Sequence, residues 1–282
     1  MGFFEFLSRL LAGLFGPSHP SAGISGAPDG DYRIYNDKNS IYDVPTVDTK
    51  ASAPPGWEGE PPYRYIDVSR YQGKITLDGW RKVKAAGYKG AMLKTVSTNR
   101  KLSKRADGLY IDPTFENNYK NAKAAGLDVG VYYYTYAISR TGADKELALL
   151  AEALRGKELT LPVAVDVEDN KLKRLGKQAL TDLTAYALVR IEAMGFYAQL
   201  YTYTSFANSR LYVGGAALKP YDVWLADYTG KTPKVSFKYN AHQHTSKGSV
   251  PGISGNVDLN VTTLNYPRII EKKGLTRLRE GA

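Results

Sequence analysis

The chain has 282 residues, no cysteine and three histidines, which excludes disulfides, thiolate zinc sites, a cysteine nucleophile and a histidine-rich metal centre. With 43% hydrophobic and 23% charged residues it can bury a sizeable core as a globular protein. The net charge of +10 is uneven: residues 1–60 hold 8 acidic and 4 basic side chains, so the remainder carries +14, which suits polyanionic surroundings such as nucleic acid, an anionic membrane or a bacterial wall.

Residues 1–15, "MGFFEFLSRLLAGLF", set Phe3, Phe6, Leu7, Leu10, Leu11 and Leu14 at near-helical spacing. The run is too short to span a bilayer, and Glu5, Ser8 and Arg9 interrupt the apolar centre that a cleavable secretory signal needs. It reads as an amphipathic helix that docks on or anchors to a membrane surface, a phage particle or the protein itself. Residues 16–62 are rich in Pro, Gly, Ser and Asp and read as a linker or extended arm, although "YRIYNDKNSIYDVPTV" within it has enough Tyr, Ile and Val to pack on something.

From residue 63 strands and helices alternate. Strand-like runs occupy 63–69, 90–96, 128–137, 161–168, 197–204, 221–228, 237–245 and 256–261. Helical periodicity fills 76–87, 113–126, 142–156 and 177–195, each stretch ending on a glycine as a helix C-terminus should. Five strands alternating with helices, followed by three with little helix between them, predict an α/β fold: a single closed, TIM-like β/α barrel over residues 63–266. Residues 267–282, "PRIIEKKGLTRLREGA", read as a basic, frayed C-terminal tail.

Functional side chains of such barrels come from C-terminal strand ends on one rim. Asp67 lies at the first strand, Asp166 and Glu168 end the fourth, and Asp258 lies in the last. Alternation puts Asp166 and Glu168 on one face and Val167 on the other. In a closed barrel the first and last strands are neighbours, so Asp67 and Asp258 are expected side by side near that pair. Crowded carboxyls raise each other's pKa, and folds seldom tolerate that by accident, so the pair reads as catalytic carboxylates. Asp169 is expected to face solvent and take no part. Some of the 22 tyrosines cluster at 132–136, 201–204 and 227–229; most belong in the core, but their flat faces and polar tips also suit a groove for sugar rings or bases.

The stretches "DVSRYQG" (67–73), "PVAVDVE" (162–168) and "HQHTSKGSVPGISGNVDLN" (242–260) resemble glycoside hydrolase family 25, the lysozymes (N-acetylmuramidases) of bacteria, fungi and phages. "AAGLDVGVYYYTYA" (124–137), "AQLYTYTSF" (198–206) and "VWLADYTGKTP" (223–233) are similar to that family's intermediate strands, and the resemblance runs from about Tyr63 to about Tyr266. It implies a flattened β/α barrel, with neither cofactor nor metal, that cleaves the β-1,4 bond between N-acetylmuramic acid and N-acetylglucosamine in peptidoglycan. Glu168 matches the proton donor. Asp166 matches the second carboxylate, either a direct nucleophile or a stabiliser of the substrate's own 2-acetamido group, and net retention is expected. Asp67 and Asp258 complete the acidic quartet. Lys94, Tyr132, Tyr134, Tyr201, Trp224, Tyr228 and Gln243 are the expected substrate contacts.

Two features depart from the family pattern. A long basic loop (94–115) carrying Arg100, Lys101, Lys104 and Arg105 replaces a short acidic one, and His242 and His244 flank Gln243 where aromatics are usual. The expected partner is bacterial peptidoglycan rather than nucleic acid, for which no module is recognisable. The expected location is the cell wall, reached by an extracellular or phage-associated protein. A catalytically inactive glycan-binding or phage-assembly module on the same barrel, and a chitinase-like hydrolase, are the alternatives.

Overall fold

A computed structural model describes residues 63–279. The docking helix expected at 1–15 and the arm expected at 16–62 lie outside the described residues.

The first half of the barrel alternates as expected: β1 (Tyr63–Val68), α1 (Leu77–Ala85), β2 (Gly90–Lys94), α2 (Phe115–Ala124), β5 (Asp128–Tyr134), α3 (Arg140–Leu154) and β6 (Val163–Asp166). Between β2 and α2 a hairpin interrupts it, made of β3 (Val96–Thr98) and β4 (Leu109–Ile111). The second half runs α4 (Lys177–Ala193), β7 (Ala198–Tyr203), α5 (Thr204–Arg210), β8 (Asp222–Ala226), β9 (Ala241–Gly248), β10 (Val257–Thr262) and α6 (Tyr266–Lys273). Eight strands close in the order β1-β10-β9-β8-β7-β6-β5-β2. Every pairing is parallel except those of β10, which runs against both β1 and β9.

The strands read as near-continuous apolar runs because both of their faces are buried. Ile66, Leu93, Val131, Tyr133, Val165 and Leu200 pack outward in one cluster with Trp80, Leu150 and Leu188 of the helices. The alternate residues Tyr65, Met92, Ala164, Tyr201 and Trp224 fill the barrel in a second cluster. Helix starts are set by side chains that cap free N–H groups, Thr76 for Gly79 and Ser139 for Gly142. Where the loop before β10 crosses α1, a Cβ on Gly252 would collide with the backbone of Gly79, so the two glycines permit that contact.

The stretch read as a frayed tail is instead a plug. Asn265 caps α6 and Gly274, at φ 63°, ends it. Tyr266 and Ile270 are fully buried in the barrel's interior cluster beside Tyr63 and Tyr197. Beyond the helix, Thr276 bridges to Phe196 and the Arg279 amide donates to Met194 O at 3.1 Å. Its lysines and arginines had masked an apolar face at Tyr266, Ile269 and Ile270, spaced three and four apart. The barrel's N-terminal mouth is thereby closed, and the opposite mouth is left for chemistry.

Candidate active site

At the C-terminal ends of the parallel strands a cleft of about 420 Å³ opens, lined by Asp67, Asp166, Glu168, Asp258 and Lys94 among aromatic side chains. Asp67 is the next-to-last residue of β1, Lys94 the last of β2 and Asp166 the last of β6. Asp258 reaches the same rim from the start of its strand rather than the end, because β10 is antiparallel; it is the register partner of Asp67. The fourth strand is also shorter than expected, so Glu168 stands two residues beyond it. The chain nevertheless stays extended there. The Val167 amide donates to Tyr201 O at 2.9 Å, and Thr202 Oγ1 donates to Val167 O at 2.8 Å. Val167 is buried outward and Glu168 turns into the cleft.

Asp169 does not simply face solvent. It is half-buried, caps the following 3-10 turn (Asn170–Arg174) by accepting from the Lys171 amide at 2.7 Å, and accepts from Tyr134 Oη at 3.1 Å. It thereby ties a cleft tyrosine to the turn that follows the acids.

The carboxyls crowd with few donors between them. Asp67 Oδ2 accepts from Gln243 Nε2 at 2.7 Å and from Asn260 Nδ2 at 2.9 Å. Behind those amides, Trp224 Nε1 donates to Asn260 Oδ1 at 2.8 Å, and the hydroxyls of Tyr201 and Tyr228 both donate to Gln243 Oε1. Burial foremost, then the neighbouring Asp258, holds Asp67 well above the usual carboxylate range, against the opposing amides. Burial also raises Asp258, the register partner of Asp67. Asp166 is raised strongly by burial and by Glu168, with Lys94 opposing; its Oδ1 has no hydrogen-bond partner. Glu168 is raised by burial, with Lys94 pulling it down and Asp169 and Asp258 pushing it up. The Lys94 ammonium lies 4.7 Å from the Tyr134 ring centroid and 5.8 Å from that of Tyr132. Such a rim can hold a carboxylic acid and a carboxylate together near neutral pH.

Among the expected substrate contacts, Lys94, Tyr132, Tyr134, Tyr201 and Trp224 line the cleft, and strand alternation turns Tyr132 and Tyr134 inward and Tyr133 outward. Gln243 is a correction. Gln243 is 1% exposed behind Asp67, while Tyr228, 52% exposed, donates to it and stands near Asp258, Asp67 and Glu168. With Gln243 inward on β9, His242 and His244 face away from the barrel, and His242 Nε2 lies 3.0 Å from Asp227 O. Arg70, Tyr71, Asn99, Tyr110 and Tyr136 line the cleft unanticipated. Tyr136 continues the 132/134 alternation and could have been found that way; Asn99 and Tyr110 arrive only through the hairpin's pairing. In the basic loop, Arg105 pairs with Asp107 at 3.0 Å, while Arg100, Lys101 and Lys104 are exposed beyond the hairpin strands. Among the described residues no group of three or more His, Asp or Glu is arranged to hold a metal ion, and no helix is long and apolar enough to cross a membrane.

Residues 66–253 match the family model described as glycosyl hydrolases family 25. The chain is 30% identical over 195 residues to an autolytic lysozyme of Clostridium acetobutylicum, an alignment covering 69% of this chain and 54% of that protein. It is 30% identical over 213 residues to lysozyme M1 of Streptomyces globisporus, covering 69% and 66%. The chain thus spans less than two thirds of either relative. The bacterial lysozyme from Streptomyces coelicolor superposes with a TM-score of 0.60 at 24% identity, over 76% of this chain and 98% of that one.

Proposed function

The chain belongs to glycosyl hydrolase family 25, and from its acidic rim we propose that it is a muramidase, hydrolysing the β-1,4 bond between N-acetylmuramic acid and N-acetylglucosamine in bacterial peptidoglycan. The observation that carries this reading is the Asp166–Glu168 pair, set by extended backbone on one side of a cleft walled by tyrosines. The lysozymes it is similar to support the same substrate class.

Glu168, half-exposed and without a hydrogen bond among the described residues, is the proton donor to the leaving oxygen. Asp166, deeper and with a free Oδ1, faces the anomeric carbon as nucleophile or as partner of the 2-acetamido group. Burial alone would favour the proton on Asp166, the more enclosed of the two. Positive charge developing at the anomeric carbon in the transition state reverses that preference, since it stabilises the Asp166 anion and leaves the pair's proton to Glu168. Asp67 and Asp258 orient the sugar from the adjoining strands. The product retains its configuration, as closely placed carboxyl pairs require. The field of +14 on residues 61–282 favours adhesion to acidic walls, and residues 1–15 serve as a docking segment.

The test is turbidity clearing of purified bacterial walls by the full chain beside Glu168→Gln, which is expected to lose a factor of about a thousand in rate. Equal clearing by both refutes the assigned acid, and no clearing by either favours a binding module. The anomer released first, read by NMR, should be the retained one; the inverted anomer would overturn the double-displacement scheme.

A further inference from the structure

Two cations line the cleft, and they are placed differently. Lys94 is engaged by the acids, pulling down both Asp166 and Glu168. Arg70 is not. Its backbone amide is held by Asp112 Oδ2 at 3.0 Å, and the other Asp112 oxygen is taken by Thr114, through its amide at 2.9 Å and its hydroxyl at 2.6 Å. The Arg70 guanidinium lies 4.3 Å from the Tyr71 ring centroid and donates to Tyr71 Oη at 3.0 Å, and the nearby Tyr110 hydroxyl helps to raise its pKa. No carboxylate pairs with it among the described residues. It is a charge set beside two phenols on an anchored backbone, facing a cleft it shares with four acids.

A planar guanidinium so placed keeps N–H groups free for a two-pronged contact. Its surroundings say what it is for. The acidic quartet repels an anionic ligand, so a substrate bearing carboxylates needs a local cation that the quartet has not already claimed. We propose that Arg70, set beside Tyr71 and Tyr110, is a recognition site for a carboxylate carried by the glycan strand. This rests on the muramidase reading and names the chemical feature of the substrate that the cleft selects. The carboxylate has two sources in peptidoglycan, the lactyl group of the muramic acid ring and the attached peptide, and they are separable by experiment.

The measurement is the affinity of soluble glycan fragments for the full chain carrying Glu168→Gln, with and without Arg70→Gln, by calorimetry. Three fragments are used: peptide-bearing, peptide-free with free ring carboxylates, and peptide-free with those carboxylates reduced to alcohols. Arg70→Gln should weaken binding of carboxylate-bearing fragments about tenfold and of the reduced fragment less than twofold, with Arg70→Lys between. A loss confined to the peptide-bearing fragment assigns the peptide carboxylate, a loss confined to the peptide-free acidic fragment assigns the lactyl carboxylate (which peptide attachment converts to an amide), and a loss on both shows that the site takes either carboxylate. Equal losses on all three, or none on any, overturn the proposal. Failure of the wild-type chain to clear walls, with the carboxylate-dependent loss intact, refutes the muramidase reading and leaves this site standing.

Discussion

The two mouths of the barrel both bury carboxylates, and they treat them in opposite ways. At the N-terminal mouth Asp128 and Asp222 each have a phenol: Tyr63 Oη donates to Asp128 Oδ2 at 2.7 Å and Tyr197 Oη to Asp222 Oδ2 at 2.8 Å, while Gln199 Nε2 donates to Tyr266 Oη at 2.9 Å beneath the plug helix. At the C-terminal mouth Asp67 lies against Asp258, Glu168 has no hydrogen bond among the described residues, and Asp166 Oδ1 has no partner. A buried acid given a fixed donor becomes an anchor. At the other mouth Asp67 is likewise held by Gln243 and Asn260, but Asp166 and Glu168 are given mainly each other, and such a pair can keep a proton that is free to move.

Asp166→Asn gives the sharpest contrast. It should lower the wall-clearing rate by about a thousandfold while leaving the thermal midpoint unchanged or raised, since a like charge leaves a crowded rim. A fall of several degrees in that midpoint would make the open mouth as structural as the closed one. Tyr197→Phe should do the reverse. It removes one donor from Asp222 but leaves Tyr266, so we expect a loss of about 1 kcal/mol in denaturant unfolding and an unaltered pH–rate profile. A displaced profile would mean that the two mouths communicate.

The smallest effect concerns pH. Glu146, whose carboxylate holds the Thr135 hydroxyl and the Tyr136 amide below the cleft wall, is pushed by burial up to about 7. Glu192, influenced by Lys273 and Arg279 near the plug, is likewise pushed by burial up to about 7. Between the ordinary glutamate range and 7 the folded chain binds more protons than the unfolded one, so stability present at low pH is lost as pH rises through 7. The thermal midpoint should fall by several degrees from pH 5 to pH 8 at constant salt, with faster amide exchange both at 135–137 and at 273–279. A midpoint that climbs over this range would mean that one or both glutamates are ionised in the fold.

Much of this was readable in the chain, for identifiable reasons. The apolar runs and the helical periods of 76–87, 113–126, 142–156 and 177–195 record burial that is local in sequence, so helices α1 to α4 and the barrel strands fall close to where those patterns lie. Acids at the ends of apolar runs pointed to the rim, and closure of the barrel made Asp67 and Asp258 neighbours. The hairpin of β3 and β4 was missed because each strand has three residues and is defined only by the other. Gln243 was taken for a sugar contact because its neighbours in sequence suggested a cleft, whereas Tyr201, Tyr228 and Asp67 close around it from three other elements.

By itself, then, the sequence determined which residue types stand at which phase of each strand and helix, and so the class of fold and the chemistry of its acids. Only the tertiary structure decided the direction of β10, which carries Asp258 to the rim by its first turn of chain rather than its last. It likewise decided that charged residues after Asn265 would plug the barrel and that Arg70 would sit on Tyr71 without an ion-pair partner among the described residues. The physical reason is common to all three. Side-chain period is set by neighbours along the chain, but strand direction, closure and charge pairing are set by groups far apart in sequence that meet only when the barrel shuts.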